Sequence, residues 1–74
     1  IDSVNKFNVY LQTCINTGKT DKALDKYYEL DDIVPMNDGS YYLLSVIMIL
    51  QQHYAEALDY IDKALLKETD NPAL

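Results

Sequence analysis

A chain of 74 residues holds at most one small domain, and at this size only about 60% of the unfolded surface is buried on folding, so the architecture must be simple or shared with neighbouring elements. Its 49% apolar and 24% charged residues are the balance of a folding chain rather than a disordered one. Twelve acidic residues against six lysines, no arginine and a net charge of -6 argue against a surface built for polyphosphate or anionic lipid, so neither nucleic acid nor a membrane is the expected partner.

The strong breakers are Gly18, the Val34-Pro35 step followed by Asn37-Asp38-Gly39, and Asn71-Pro72, and they leave stretches of helical length with no strand signal between them. In the first stretch Val4, Phe7, Tyr10, Leu11, Cys14 and Ile15 recur at steps of three and four, which predicts a helix over 3–17 with one buried face. After the Thr17-Gly18-Lys19 turn, Thr20 is the expected N-cap of a second helix, and Asp21 complements its dipole. Ala23, Leu24, Tyr27, Tyr28 and Leu30 keep the same rhythm, and the helix should end near Asp32 because Pro35 biases Val34 away from helical geometry.

Asn37 or Asp38 is placed to cap a third helix over about 39–51, whose run Tyr41–Leu50 has almost no polar face and should be covered on most sides. That run is about half the length of a membrane-spanning helix. A fourth helix over about 54–68 should turn Ala57, Leu58, Ile61, Ala64 and Leu65 inward, with Asp59 and Lys63 paired outside. Four helices on short links run up and down as antiparallel neighbours.

The two halves of the chain also resemble each other at a constant offset of 34 residues: Phe7 with Tyr41, Tyr10 with Leu44, Cys14 with Met48, Ala23 with Ala57, Leu24 with Leu58, Tyr27 with Ile61 and Leu30 with Ala64. These positions, and above all the run Tyr54-Ala55-Glu56-Ala57-Leu58-Asp59-Tyr60-Ile61-Asp62-Lys63-Ala64-Leu65, resemble the tetratricopeptide repeat family. The resemblance covers nearly the whole chain. It departs from the family pattern at Leu11, where a small residue is usual, at Cys14 and Met48, where an aromatic is usual, and at Thr69, where proline is common.

The fold implied is all-α: two tandem antiparallel helix-turn-helix hairpins stacked as an α-solenoid, with repeat one at 4–37, repeat two at 38–71, and 72–74 as the start of a next element or a truncated end. Large Leu11 implies a wider first hairpin than the family norm. Each helix pair has one apolar face too many, so Ile61, Leu65 and Leu66 call for a further repeat, the rest of a longer parent, or self-association through the terminal-helix faces.

In arrays of this family the first helix of each pair lines a concave groove for an extended peptide. The resemblance therefore points to Asn5, Asn8, Gln12, Ile15 and Asn16 in repeat one and to Tyr42, Val46, Ile49 and Leu50 in repeat two. Asn and Gln offer both a donor and an acceptor to peptide backbone, and the aliphatic residues offer pockets. The simpler reading of the same residues is a solvated Asn row beside an apolar helix covered by the rest of an array. Asn5, Val9, Gly39 and Leu43 stand where relatives that clamp acidic chaperone tails carry Lys, Asn and Arg, so that specialised clamp is not implied.

The function expected is a non-catalytic protein-interaction module that binds a peptide or helix, with a structural spacer in a larger assembly as the alternative. Pentatricopeptide-like binding of single-stranded RNA is a further alternative, opposed by the acidic charge and by the short Leu30-to-Pro35 spacing. No catalytic, cofactor or metal set is expected. His53 has no second ligand or paired acid, Cys14 has no activating neighbour, Asp31-Asp32 and Asp21/Asp25 lie on wet faces, and Gly18-Lys19-Thr20 lacks the preceding glycine and strand of a phosphate loop. The lone Cys14 leans towards a reducing, cytoplasmic compartment, and the ends at Ile1 and Leu74 read as cuts that place any targeting signal outside this sequence.

Overall fold

The computed structural model describes residues 3–69, four α-helices and no strand: α1 Ser3–Thr17, α2 Thr20–Leu30, α3 Asp38–Leu50 and α4 Tyr54–Thr69. The expected Asn71-Pro72 break and the 72–74 tail lie outside the described residues.

The two hairpin turns are the same motif. After α1, Lys19 N–H donates to Cys14 C=O at 2.8 Å and Gly18 N–H to Ile15 C=O at 3.3 Å, with Gly18 at φ +75. After α3, His53 N–H donates to Met48 C=O at 2.8 Å and Gln52 N–H to Ile49 C=O at 2.9 Å, with Gln52 at φ 65. Both are Schellman closures, in which one left-handed residue folds the chain back onto the last carbonyls. Every atom pair of the second turn is the first shifted by 34 residues, although only the first turn has the glycine that announces it.

The links also decide the caps. Lys19, not Thr20, occupies the N-cap of α2 and makes no side-chain cap bond. The two-residue turn leaves no room for Thr20 to precede the helix, and its hydroxyl instead accepts from Gln51 Nε2 at 3.1 Å. α2 ends at Leu30, slightly before the expected Asp32, and residues 31–33 continue as turns that bury Val34 and Met36. At α3 the Asn37 carboxamide accepts from Ser40 N–H at 2.9 Å while Asn37 N–H donates to Ser40 Oγ at 3.3 Å, a reciprocal capping box.

The core runs from Phe7, Leu11 and Cys14 on α1 through Ala23 and Tyr27 on α2 to Leu44, Ile47 and Met48 on α3 and Ala57 on α4. α3 packs on α1, α2 and α4. Among the described residues α4 makes no comparable backbone approach to α1, so the four helices do not close into a ring.

The two hairpins differ in closeness, α3 and α4 lying against each other far more intimately than α1 and α2. The residues at the crossings supply the reason. Ser45 and Ala64, both buried, occupy in the second hairpin the places that Leu11 and Leu30 hold in the first. Small side chains let backbones approach, and the Ser45 hydroxyl is satisfied by donating to Tyr42 C=O at 2.6 Å.

One expectation about the apolar surface is corrected. Leu58 and Leu65 do not turn inward: they are 62% and 46% exposed, because Ala57 and Ala64 hold the contact line of α4 and their neighbours fall on its outer side. α3 is covered on most sides, with α1, α2 and α4 packed against it. Tyr42, Val46, Ile49 and Leu50 form an exposed edge, since only three helices pack against α3 and none covers this one.

Candidate docking face

α1 and α3 are neighbours that run in the same direction. The N-terminal end of α3 meets Asn8 through Asn37 and Ser40, and the residue after its C-terminal end, Gln51, donates to Thr20 and to Asp21 Oδ1 (2.9 Å) just beyond the end of α1. At the 34-residue offset the corresponding positions of the two helices are Asn8 and Tyr42, Gln12 and Val46, Ile15 and Ile49, and Asn16 and Leu50. The residues singled out in the sequence therefore lie in two rows.

The rows differ in chemistry and in freedom. On α1, Gln12 Nε2 donates to Asn16 Oδ1 at 3.1 Å, and both side chains are exposed, as is Asn5. Ile15 is half-buried against the core. Asn8 is already engaged: its Nδ2 donates to Asn37 Oδ1 at 3.1 Å, and its Oδ1 accepts from Ser40 Oγ at 2.6 Å. Ser40 is fully buried, so this network ties α1 to the start of α3 and is structural. The Asn37-x-x-Ser40 pattern was the available signal for the cap, but no local pattern names Asn8 as its third member.

On α3 the row is apolar, with Val46, Ile49 and Leu50 at helical steps. Tyr42 closes one end by donating its hydroxyl to Glu68 Oε1 at 2.8 Å. That bond, then desolvation and the nearby carboxylates of Glu68 and Asp38, hold the Tyr42 hydroxyl above the ordinary phenol range. The face can thus offer amide donors and acceptors on α1 and a hydrophobic strip on α3.

Behind it lies an aromatic cluster. Phe7 stacks on Tyr27 (6.5 Å between centroids), Tyr27 meets Tyr60 edge-on (5.9 Å), and Tyr60 stacks on Tyr41 (6.2 Å) with Lys63 Nζ 5.3 Å above the Tyr60 ring. Tyr60 is half-buried, while Tyr28 is exposed. These rings join α2 to α4 across the two hairpins.

The remaining chemistry-bearing residues are dispersed. Cys14 is a buried free thiol, and His53, expected to lack a paired acid, instead has its Nδ1 3.2 Å from Glu56 Oε1 three residues on, with both side chains exposed. Gly18-Lys19-Thr20 forms the first Schellman turn. Among the described residues no group of His, Cys, Asp or Glu is arranged to hold a metal ion, and no helix is long and apolar enough to cross a membrane.

One further concavity went unforeseen. A cleft of about 490 Å³ opens between α1 and α2, lined by Ser3, Lys6, Phe7, Tyr10, Lys26, Leu30, Ile33 and Val34. It follows from the wider first hairpin. Compared with protein-family models, with curated proteins and with solved structures, the chain has no match.

Proposed function

We propose that this chain is a pair of tetratricopeptide-like hairpins stacked as an α-solenoid, and that it is a non-catalytic interaction module on which a peptide or helix of a partner protein docks across α1 and α3. The observation that carries the reading is the repetition of one turn, Gly18-Lys19 and Gln52-His53, with identical hydrogen bonds at a 34-residue offset. Two hairpins with the same closure, stacked so that their first helices are parallel neighbours, support a repeat array over a closed bundle.

The partner's site is the double row of Asn5, Gln12, Ile15 and Asn16 on α1 with Tyr42, Val46, Ile49 and Leu50 on α3. Asn8 belongs to the wall of that site, since its amide is spent on holding α3 in place. Exposed aliphatic side chains beside paired amides suit an extended segment that alternates apolar side chains with backbone polar groups.

Selection of binders from a displayed random-peptide library, followed by mapping of the shifted backbone amides, tests the proposal. Perturbations at Gln12, Ile15, Val46 and Ile49, abolished by Val46→Asp, are the expected result. Binders that map to α4 and ignore Val46→Asp would instead favour the second reading, a structural spacer, which the exposed Leu58 and Leu65 on α4 support.

A further inference from the structure

Charge is divided unevenly between the two helices of each hairpin. The second helices carry most of it, five charged residues on α2 and six on α4, whereas α1 has none after Lys6 and α3 none after Asp38. Residues 7–18 and 39–52 are uncharged throughout, in a chain whose net charge is -6. The two neutral helices are the adjacent pair that forms the docking face.

Burial does not account for this neutrality. Val9 is 67% exposed and Leu50 54%, and Gln12, Thr13 and Asn16 are exposed as well. Water-facing positions of a surface helix ordinarily take charged residues, as those of α2 and α4 do. On α1 the polar groups are amides instead. Gln12 Nε2 donates to Asn16 Oδ1 at 3.1 Å, which leaves the Gln12 carbonyl oxygen as an acceptor and the Asn16 amide nitrogen as a donor on an exposed surface.

The charges that bound the face stand at its ends. Glu68 accepts the Tyr42 hydroxyl at one end, and Asp21 accepts from Gln51 at the other, while Lys6 lines the cleft between α1 and α2. From Asn5 to Asn16 α1 rises about 16 Å, so the middle of the face is about 8 Å from either end, about one Debye length at physiological salt. A charge that a partner brought to that middle would lose its water and find no counter-charge, whichever its sign.

We infer that the segment docking across α1 and α3 is uncharged over about five residues, the extended length that spans about 16 Å, with aliphatic side chains set on Val46, Ile49 and Leu50 and its backbone on Gln12 and Asn16. The occupant is a neutral, aliphatic-rich stretch of a partner protein, selected by the charge it lacks. The inference rests on the docking reading above and adds to it the chemistry of the ligand. It uses neither the cleft between α1 and α2 nor the outer side of α4.

The test uses the 74-residue chain and the tightest library peptide whose shifted amides map to this face. Lys or Asp in place of the peptide's central aliphatic residue should each weaken binding by about tenfold or more, and Asn, polar but uncharged, should weaken it less. Gln12→Glu should recover about fivefold of the loss for the Lys peptide, and Gln12→Lys the same for the Asp peptide. The Kd of the neutral peptide should change by less than about twofold between about 50 and 500 mM salt. Binders that map to the face with Lys, Arg, Asp or Glu at their central positions, or a Kd that climbs steeply with salt, would overturn the inference and leave the docking face standing. Perturbations confined to other helices would overturn both.

Discussion

The Asn8 carboxamide oxygen accepts a 2.6 Å hydrogen bond from the Ser40 hydroxyl, joining the middle of α1 to the first turn of α3 across 32 positions of chain. Ser40 is fully buried, and its hydroxyl also lies 3.0 Å from Asn37 Oδ1. Asn8→Ala should therefore cost about 1–2 kcal/mol, the range for removing one partner of a buried hydrogen bond. Asn8→Asp should also destabilise, since it exchanges the donor towards Asn37 Oδ1 for a carboxylate oxygen at 3.1 Å. Urea unfolding followed by helical dichroism measures both. A loss of partner binding in Asn8→Ala is then a folding effect, and Gln12→Ala is the cleaner probe of the docking face.

Gln52 holds φ 65 in the second hairpin turn at the place that Gly18 fills in the first. A non-glycine residue pays about 1 kcal/mol for that conformation. Gln52→Gly should stabilise the chain by about 0.5–1 kcal/mol, and Gly18→Ala should destabilise it by about 1 kcal/mol even though a methyl there would meet no atom within 4 Å. Melting temperatures of the two variants moving in the same direction would contradict the equivalence of the turns.

The two hairpin crossings are not interchangeable. Leu11→Ala empties a fully buried site and should cost about 2–5 kcal/mol, whereas Ser45→Leu forces a large side chain between the closely packed α3 and α4 and should cost about 1–3 kcal/mol. Chevron or equilibrium denaturation of both variants checks the pair. A neutral Ser45→Leu would mean that the second hairpin opens as readily as the first.

Burial pushes the hydroxyls of Tyr27, Tyr41 and Tyr60 above the ordinary tyrosine value of 10.0, desolvation being the largest cause for each. A group whose folded pKa is raised contributes stability that is complete below its unfolded pKa and disappears as pH climbs through the folded one. The chain should thus hold its helices up to about pH 10 and unfold in strong alkali as the cluster ionises. Tyr27→Phe should shift that alkaline midpoint upward. Tyrosinate absorbance and helical dichroism followed together would show whether the two transitions coincide.

Much of the architecture was legible because it is local. Apolar residues at steps of three and four marked all four helices, and Gly18, Pro35 and Asn37 marked where three of their ends fall, since each breaker acts on its own φ and ψ. The helix bounds placed the turn between α3 and α4, but not its left-handed Gln52, because glutamine carries no backbone preference that signals such a residue. Thr20 was misplaced as a cap because propensity ranks the residue while the length of the turn chooses the position. Leu58 and Leu65 were misjudged because a helical stripe leaves its rotation undetermined by about one residue until a neighbouring helix, here through Ala57 and Ala64, selects the contact line.

Composition, periodicity and the 34-residue echo thus determined four helices and the likeness between the halves, because those depend on each residue's own chemistry and its spacing from its neighbours. Only packing decided that Asn8 is a strut rather than a free ligand, that Tyr27, Tyr41 and Tyr60 share one cluster, and that the first hairpin opens into a cleft. Those outcomes depend on how close two helices can come, which Leu11 and Ser45 set in opposite senses, and no single stretch of chain contains both partners of a crossing.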